Sequence, residues 1–406
     1  MTARLRAAAQ RAALVVAGAI ALLFSFVGLP REDDRAVVRP DQLYLYSADV
    51  LLVALAILAA PRLLAAARRP RGPESALWLA LFAWIALAFA VHPSARGVDL
   101  LLRAVAAAAL YRVVADAPLS AVRILTALLG ATAVVQAVIG AAQVSAGHPL
   151  GLGSIGELSY PLLTYSGVAL ARGTVGHEFI LASLALVTAA ALIAAGLRAR
   201  RLAPWALAVA GAAVPLGLIY GRTVIAAIAL GAASLLPRAR SDMRARWLLA
   251  ALVCGAALPA IVARDGWAGS LARGVASDRG PIVLEGIAIV AEEPVVGVGP
   301  GNYLAALRAR PEIQMARAVQ NAHDVPLLLA AEAGIPAGLL AAALIVLVGI
   351  AALRAGAPAL TLYAVYLPWL IVDALPYVTP QGLVLTAFWL GFLRQAARGP
   401  RDRPSG

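Results

Sequence analysis

The chain has 406 residues, of which 62% are hydrophobic, and a mean hydropathy of +0.86, well above the roughly 45 to 50% apolar share of a soluble domain. This composition excludes an ordinary soluble globular protein. The formal charge of +13 comes from 34 basic residues, all arginine, and they fall in short clusters between apolar runs, which argues against a nucleic-acid partner.

Apolar runs recur along the whole length, and each is long enough to cross roughly 30 Å of hydrocarbon as a helix. Twelve are counted, at 13–29, 43–60, 76–91, 98–115, 121–144, 178–197, 203–220, 223–237, 247–263, 325–353, 357–375 and 382–397. The expected fold is therefore all-α, a polytopic membrane protein. Residues 1–263 hold spans one to nine, 264–324 form a large periplasmic loop with short amphipathic helices, 325–398 hold spans ten to twelve, and 399–406 are a cytoplasmic tail. The first span follows Arg4, Arg6 and Arg11 but leads directly into another span, so it reads as retained rather than cleaved. Cys254, the single cysteine, lies inside a span; it excludes a disulfide framework and reads as packing.

The arginines set the orientation. Arg62, Arg68, Arg69 and Arg71, then Arg198, Arg200 and Arg201, then Arg238, Arg240, Arg244 and Arg246 occupy alternate connections. The N-terminal cluster and Arg394, Arg398, Arg401 and Arg403 fall on the same side. This positive-inside pattern puts both termini in the cytoplasm, and an even number of spans requires the same.

Two outward connections, 145–177 and 264–324, are too long for simple turns between packed helices. The second contains "GPIVLEGIAIVAEEP", in which Ile282, Leu284 or Glu285, and Ile289 recur as on an amphipathic helix. It continues as "GVGPGNYLAALRAR", a glycine turn entering a short helix. Gly297, Gly299 and Gly301 lack the preceding strand and the spacing of a dinucleotide loop, so they read as a turn, with Asn302 as the helix cap.

The outward side also holds Arg172, Arg222, Arg264, Arg273, Arg279, Arg308, Arg310 and Arg317. Guanidinium groups kept there against the topological trend suit an anionic ligand, phosphate above all. The alternative is ordinary pairing with Asp265, Asp278, Glu292, Glu293 and Glu312. Arg222 lies in a very short turn, at headgroup depth. His323 directly precedes the tenth span, at the water boundary, where a near-neutral imidazole accepts a proton. His92 and His148 stand near prolines in loops and read as structural; His177 is open. No other histidine or cysteine stands near His323 at ligand spacing, so no metal is expected. Glu332, nine residues on, is about 13.5 Å away along a helix and cannot pair with the ring. A carboxylate at that depth calls for some other partner.

The stretch "AHDVPLLLAAEAG" resembles the signature of the O-antigen ligase and polymerase family, through His323, Leu327, Glu332 and Gly334. Arg279, fifteen residues before Pro294 of the glycine turn, is similar to the family pattern too. So are "GRT" at 221–223 and "RGTVGHEF" at 172–179. The family usually has asparagine where this chain has Asp324 and serine where it has Gly221. Asp324 either caps the tenth span or contacts the ring and stabilises imidazolium.

The resemblance implies a metal-independent glycosyltransferase without a cofactor, in the bacterial inner membrane, with its active site on the periplasmic face. The donor would be an undecaprenyl-pyrophosphate-linked glycan and the acceptor lipid A core, as in an O-antigen ligase, or a growing glycan, as in the polymerase. His323 would be the base, Arg222 and Arg279 would hold the pyrophosphate, and Arg172 and Asp324 would add substrate contacts. Membrane lipids are the other expected partners. A secondary transporter for an anionic solute is the reading from another class.

Overall fold

The computed structural model describes residues 3–23, 47–68, 73–158, 161–165, 167–272, 279–315 and 320–398. Arg69, Arg71, Arg273, Asp278, Arg317, Arg401, Arg403 and the expected tail lie outside these residues. Among the described residues, the regular structure apart from one two-stranded hairpin is helical.

Among the described residues, nine helices come first, in the N-terminal two thirds. They are α1 (Ala3–Leu23), α2 (Ser47–Arg68), α3 (Pro73–Val91), α4 (Ala95–Ala115), α5 (Leu119–Ala146), α6 (Glu178–Gly196), α7 (Ala203–Gly217), α8 (Arg222–Ala239) and α9 (Met243–Val262). Between α5 and α6 run a 3-10 turn, Gly153–Ile155, and the hairpin of β1 (Thr164–Tyr165) and β2 (Val168–Ala169). After α9 come α10 (Arg264–Ala272), α11 (Arg279–Glu292), α12 (Tyr303–Ala309), α13 (Val325–Ala333), α14 (Ile335–Ala355), α15 (Ala357–Ile371), α16 (Leu375–Val378) and α17 (Pro380–Ala397). Among the described residues, seven helices are long and apolar enough to cross a membrane: α2, α3, α5, α6, α8, α9 and α14. Residues Ala7–Leu23 of α1, together with α7 and α15, are shorter but equally apolar.

The bundle is organised around α6, which packs on α5, α7, α15 and α17. It carries no charge after Glu178, and all but two of its residues are buried. A helix that is apolar all round belongs in such a position. The more polar α4 is tied to α2 instead: Arg103 pairs with Asp49 of α2 at 3.1 Å and with Asp99 of its own helix at 2.8 Å. Cys254 on α9 is exposed rather than packed.

The expected tenth span, 325–353, is not one helix. It breaks at Gly334, whose φ of +86° suits glycine, and Pro336 opens the next helix. Breaking a helix orphans the carbonyls of its last turn. Here three of the four find a donor from elsewhere: Val298 N on Ala331 O at 3.0 Å, Gly299 N on Glu332 O at 2.8 Å, and the Trp84 indole on Ala333 O at 2.8 Å. The Ile335 amide in turn donates to Pro294 O at 2.8 Å. The glycine turn 294–301 is thus docked main chain to main chain on the break. A Cβ at Gly297 would stand 2.5 Å from the Glu332 carbonyl carbon, and one at Gly334 would collide with Val295 O.

The described residues of the 264–324 segment contribute to a second, smaller core. Ile289 of α11, Tyr303, Leu304 and Leu307 of α12, and Ile313 pack with Ala322, with Leu328 and Ala331 of α13, and with Ala374. Ala322 immediately precedes His323, and Ala374 immediately follows Asp373. One apolar cluster therefore fixes the chain beside both polar residues.

Candidate functional site

Four distant parts of the chain bring polar side chains together at one end of the bundle. Arg222 opens α8 after a turn of only a few residues, and Arg279 opens α11. The Arg279 guanidinium donates to Thr223 Oγ1 through Nη2, at 3.4 Å. It also feels the charges of Asp373 and Arg222. Burial, with Arg222 adding to it, pulls the Arg279 pKa below its usual range, while Asp373 opposes the shift. Holding two guanidinium groups within electrostatic reach is unfavourable on its own and becomes favourable when an anion bridges them.

His323 is partly buried and its Nε2 lies 3.0 Å from Gln320 Oε1. Burial pushes its pKa below the ordinary imidazole value. Asp373 acts in the opposite sense, and Arg279 and His177 add to the lowering. The ring is thus biased to the neutral form that accepts a proton, with a carboxylate at hand for the imidazolium that results. Asp373, 5% exposed, follows α15 and lies within electrostatic reach of Arg279 and His323. It falls inside the expected eleventh span, 357–375, and no motif singles it out. His177, the open case, caps α6: its Nδ1 accepts from the Phe179 amide at 3.1 Å. His148 keeps its structural reading, with Nδ1 2.6 Å from Pro149 O.

Arg172 is not part of this group. It is 2% exposed, its Nη2 donates to Leu158 O at 2.7 Å, and its amide donates to Gln143 Oε1 at 3.0 Å. Gln143 also accepts from Gly173 N and donates to Glu157. Burial alone would raise the Glu157 pKa, but the Gln143 amide, the Leu150 and Leu152 amides and the Arg172 charge hold it below the usual carboxylate range. The buried guanidinium thus ties Arg172 to Leu158, a contact of the kind that braces a loop. Among the other outward arginines, Arg264 and Arg310 pair with Asp265 and Glu292.

Asp324 takes the capping alternative. Its Oδ1 accepts from the Leu327 amide at 2.6 Å, at the start of α13. Burial raises its pKa, with that hydrogen bond opposing. Replacing Asp324 with asparagine keeps an equivalent acceptor and should leave the melting temperature unchanged. Asp324→Ala should lower stability by about 1 kcal/mol; equal melting of the two variants would remove the cap from the account.

Asn302, the expected cap of α12, does not cap it; its side chain donates to Val298 O at 3.1 Å. The carboxylate of Glu332 does the work from thirty residues away, accepting from Tyr303 N at 3.2 Å, Gly301 N at 2.8 Å and Tyr377 Oη at 2.9 Å. Glu332 is thus the polar pin of the glycine-turn joint, and Tyr377 links the same pin to the segment that carries Asp373. Among the described residues no group of three or more histidine, cysteine or acidic side chains is placed to hold a metal ion. No protein-family model and no curated protein matches this chain.

Proposed function

We propose that the chain is a membrane glycosyltransferase that moves a glycan from a polyprenyl-diphosphate carrier, undecaprenyl pyrophosphate in a bacterial inner membrane, to an acceptor hydroxyl. The observation that carries this reading is the placement of Arg279 against Thr223, next to Arg222 in sequence, with Arg222, Asp373 and His323 in electrostatic reach of it. In this reading twelve helices cross the membrane, the termini are cytoplasmic, and the 264–324 segment covers a periplasmic site. Lipid A core is the favoured acceptor, which makes the protein an O-antigen ligase; extension of the lipid-linked repeat by a polymerase is the variant that shares the same donor site.

The chemistry needs little from the protein beyond position and charge. The acceptor oxygen forms a bond to the anomeric carbon as the bond from that carbon to the diphosphate oxygen breaks. The electron pair leaves with the polyprenyl diphosphate, whose growing charge Arg222 and Arg279 neutralise through paired donors. The acceptor proton passes to His323, and Asp373 stabilises the imidazolium. No step calls for a metal.

Because a point charge cannot reproduce the guanidinium fork, Arg279→Lys and Arg222→Lys should each weaken binding of a polyprenyl-diphosphate analogue about tenfold or more, which corresponds to about 1.4 kcal/mol. Titration of the purified variants measures this, and parental affinity in both would remove the diphosphate clamp. The broken helix at Gly334 is the one feature that favours transport of an anionic solute, since transporters bind at discontinuous helices. Solute flux in proteoliposomes without transfer of glycan would establish that alternative.

A further inference from the structure

We infer that the protein binds an anionic phospholipid at the end of the bundle opposite to His323, in a groove between α5, α6 and α17. Helix α6 separates the two ends. It starts beside His177 and finishes at Gly196, about 28 Å away at roughly 1.5 Å per residue. Just past its end, Arg198 reaches across to α17, its Nη2 donating to Ala396 O at 2.9 Å. On the facing helix, Arg123 is exposed at the rim. These two arginines line a groove whose walls are otherwise mainly apolar, among them Leu119, Val122, Ala195 and Phe392.

Among the described residues, no carboxylate lines the groove. The acidic side chain near it in sequence, Asp116, is already engaged by Arg112 at 3.0 Å and by Arg398 at 3.4 Å. A rim of two guanidinium groups over an apolar floor matches an amphiphile, with the phosphate at the rim and an acyl chain below it. The chain has a path, since Ile124 is 60% exposed and Val134, Val135 and Val138 continue the open face of α5. Basic pockets between helix ends recognise lipid phosphates in this way. Scattered snorkelling arginines would need neither the apolar floor nor the empty lining of acids. The site is independent of the transfer reaction, because it shares no residue with the His323 group.

The test uses the full chain in detergent, with retention of added phosphatidylglycerol or phosphatidylcholine read by native mass spectrometry. Phosphatidylglycerol should be retained in preference to phosphatidylcholine, and Arg123→Gln with Arg198→Gln should lower its retention about tenfold or more. Arg240→Gln with Arg244→Gln removes the same charge from exposed positions outside the groove and should change nothing. Because Arg198→Gln also removes the bond to Ala396, Ala195→Trp provides a second route: it keeps both arginines, fills the floor, and should lower retention as well. Equal loss in the two arginine pairs, equal retention of the two lipids, or full retention in Ala195→Trp overturns the proposal. Displacement of phosphatidylglycerol by millimolar inorganic phosphate would transfer the site to a soluble anion and overturn the lipid assignment.

Discussion

His323→Ala should bind a polyprenyl-diphosphate analogue with parental affinity and lose transfer by about a hundredfold to ten-thousandfold, the usual range for a general base. The separation follows from the geometry, because the guanidinium groups that would hold the donor come from α8 and α11 and do not depend on the imidazole. The pH profile gives a sharper readout. Burial, Arg279 and His177 depress the His323 pKa, so the base form is present at neutral pH and kcat/KM should fall only on the acid side of the ordinary value near about 6.5. Asp373 stabilises the protonated ring. Removing its charge in Asp373→Asn lowers the His323 pKa further, and the acid limb should move to lower pH. Parental turnover in His323→Ala, or an acid limb that moves upward in Asp373→Asn, would sink the assignment.

The largest loss of stability is expected from Gly334→Ala. Gly334 and Gly356 have almost the same torsions, φ +86° with ψ 165° and φ +90° with ψ −173°, in a region essentially reserved for glycine. Alanine at either should cost about 1 to 3 kcal/mol in torsional strain. The surroundings differ. A Cβ at Gly356 meets nothing within 4 Å, whereas one at Gly334 runs into Val295 O and, 2.8 Å away, Val296 N. Gly334→Ala must therefore push the glycine turn off the helix break and free the carbonyls that the turn satisfies. It should melt well below Gly356→Ala, by several degrees or more. Equal melting would mean that the turn and the break are not in contact.

Among the described residues, seven of the twelve expected spans are helices of membrane-spanning length, and these were legible because hydrocarbon demands long apolar runs. The break within the tenth run was not, since Ala331, Ala333, Ile335 and Ala337 keep the stretch apolar on both sides of Gly334. His323, Arg222 and Arg279 stand out as polar residues where polarity is costly. Asp373 does not, because it ends an apolar run with no spacing that ties it to His323, fifty residues earlier. Their proximity shows only in the fold, in the shared packing of Ala322 and Ala374 and the charge of Asp373 felt at His323. The surroundings of Arg172 were not legible either: a guanidinium in an outward loop looks available, but it is buried and donates to Leu158 O, while its amide donates to Gln143, twenty-nine positions away. Glu332 was legible as a carboxylate in need of partners, but its partners lie on a turn thirty residues upstream.

Burial of α6 on every side has a consequence for how the protein is made. Of the helices packed around it, α7, α8, α9, α15 and α17 are all synthesised later. When α6 leaves the ribosome, lipid must surround what protein later covers. Its uninterrupted apolar surface permits that wait, but it also means that later assembly exchanges one apolar neighbour for another and gains little from leaving water. Closeness of fit has to supply the driving force instead. The seven alanines between Glu178 and Gly196 provide it by letting neighbouring backbones approach. A bulkier residue there would spare membrane insertion and strike assembly, leaving a chain that is fully threaded through the bilayer and not yet a protein.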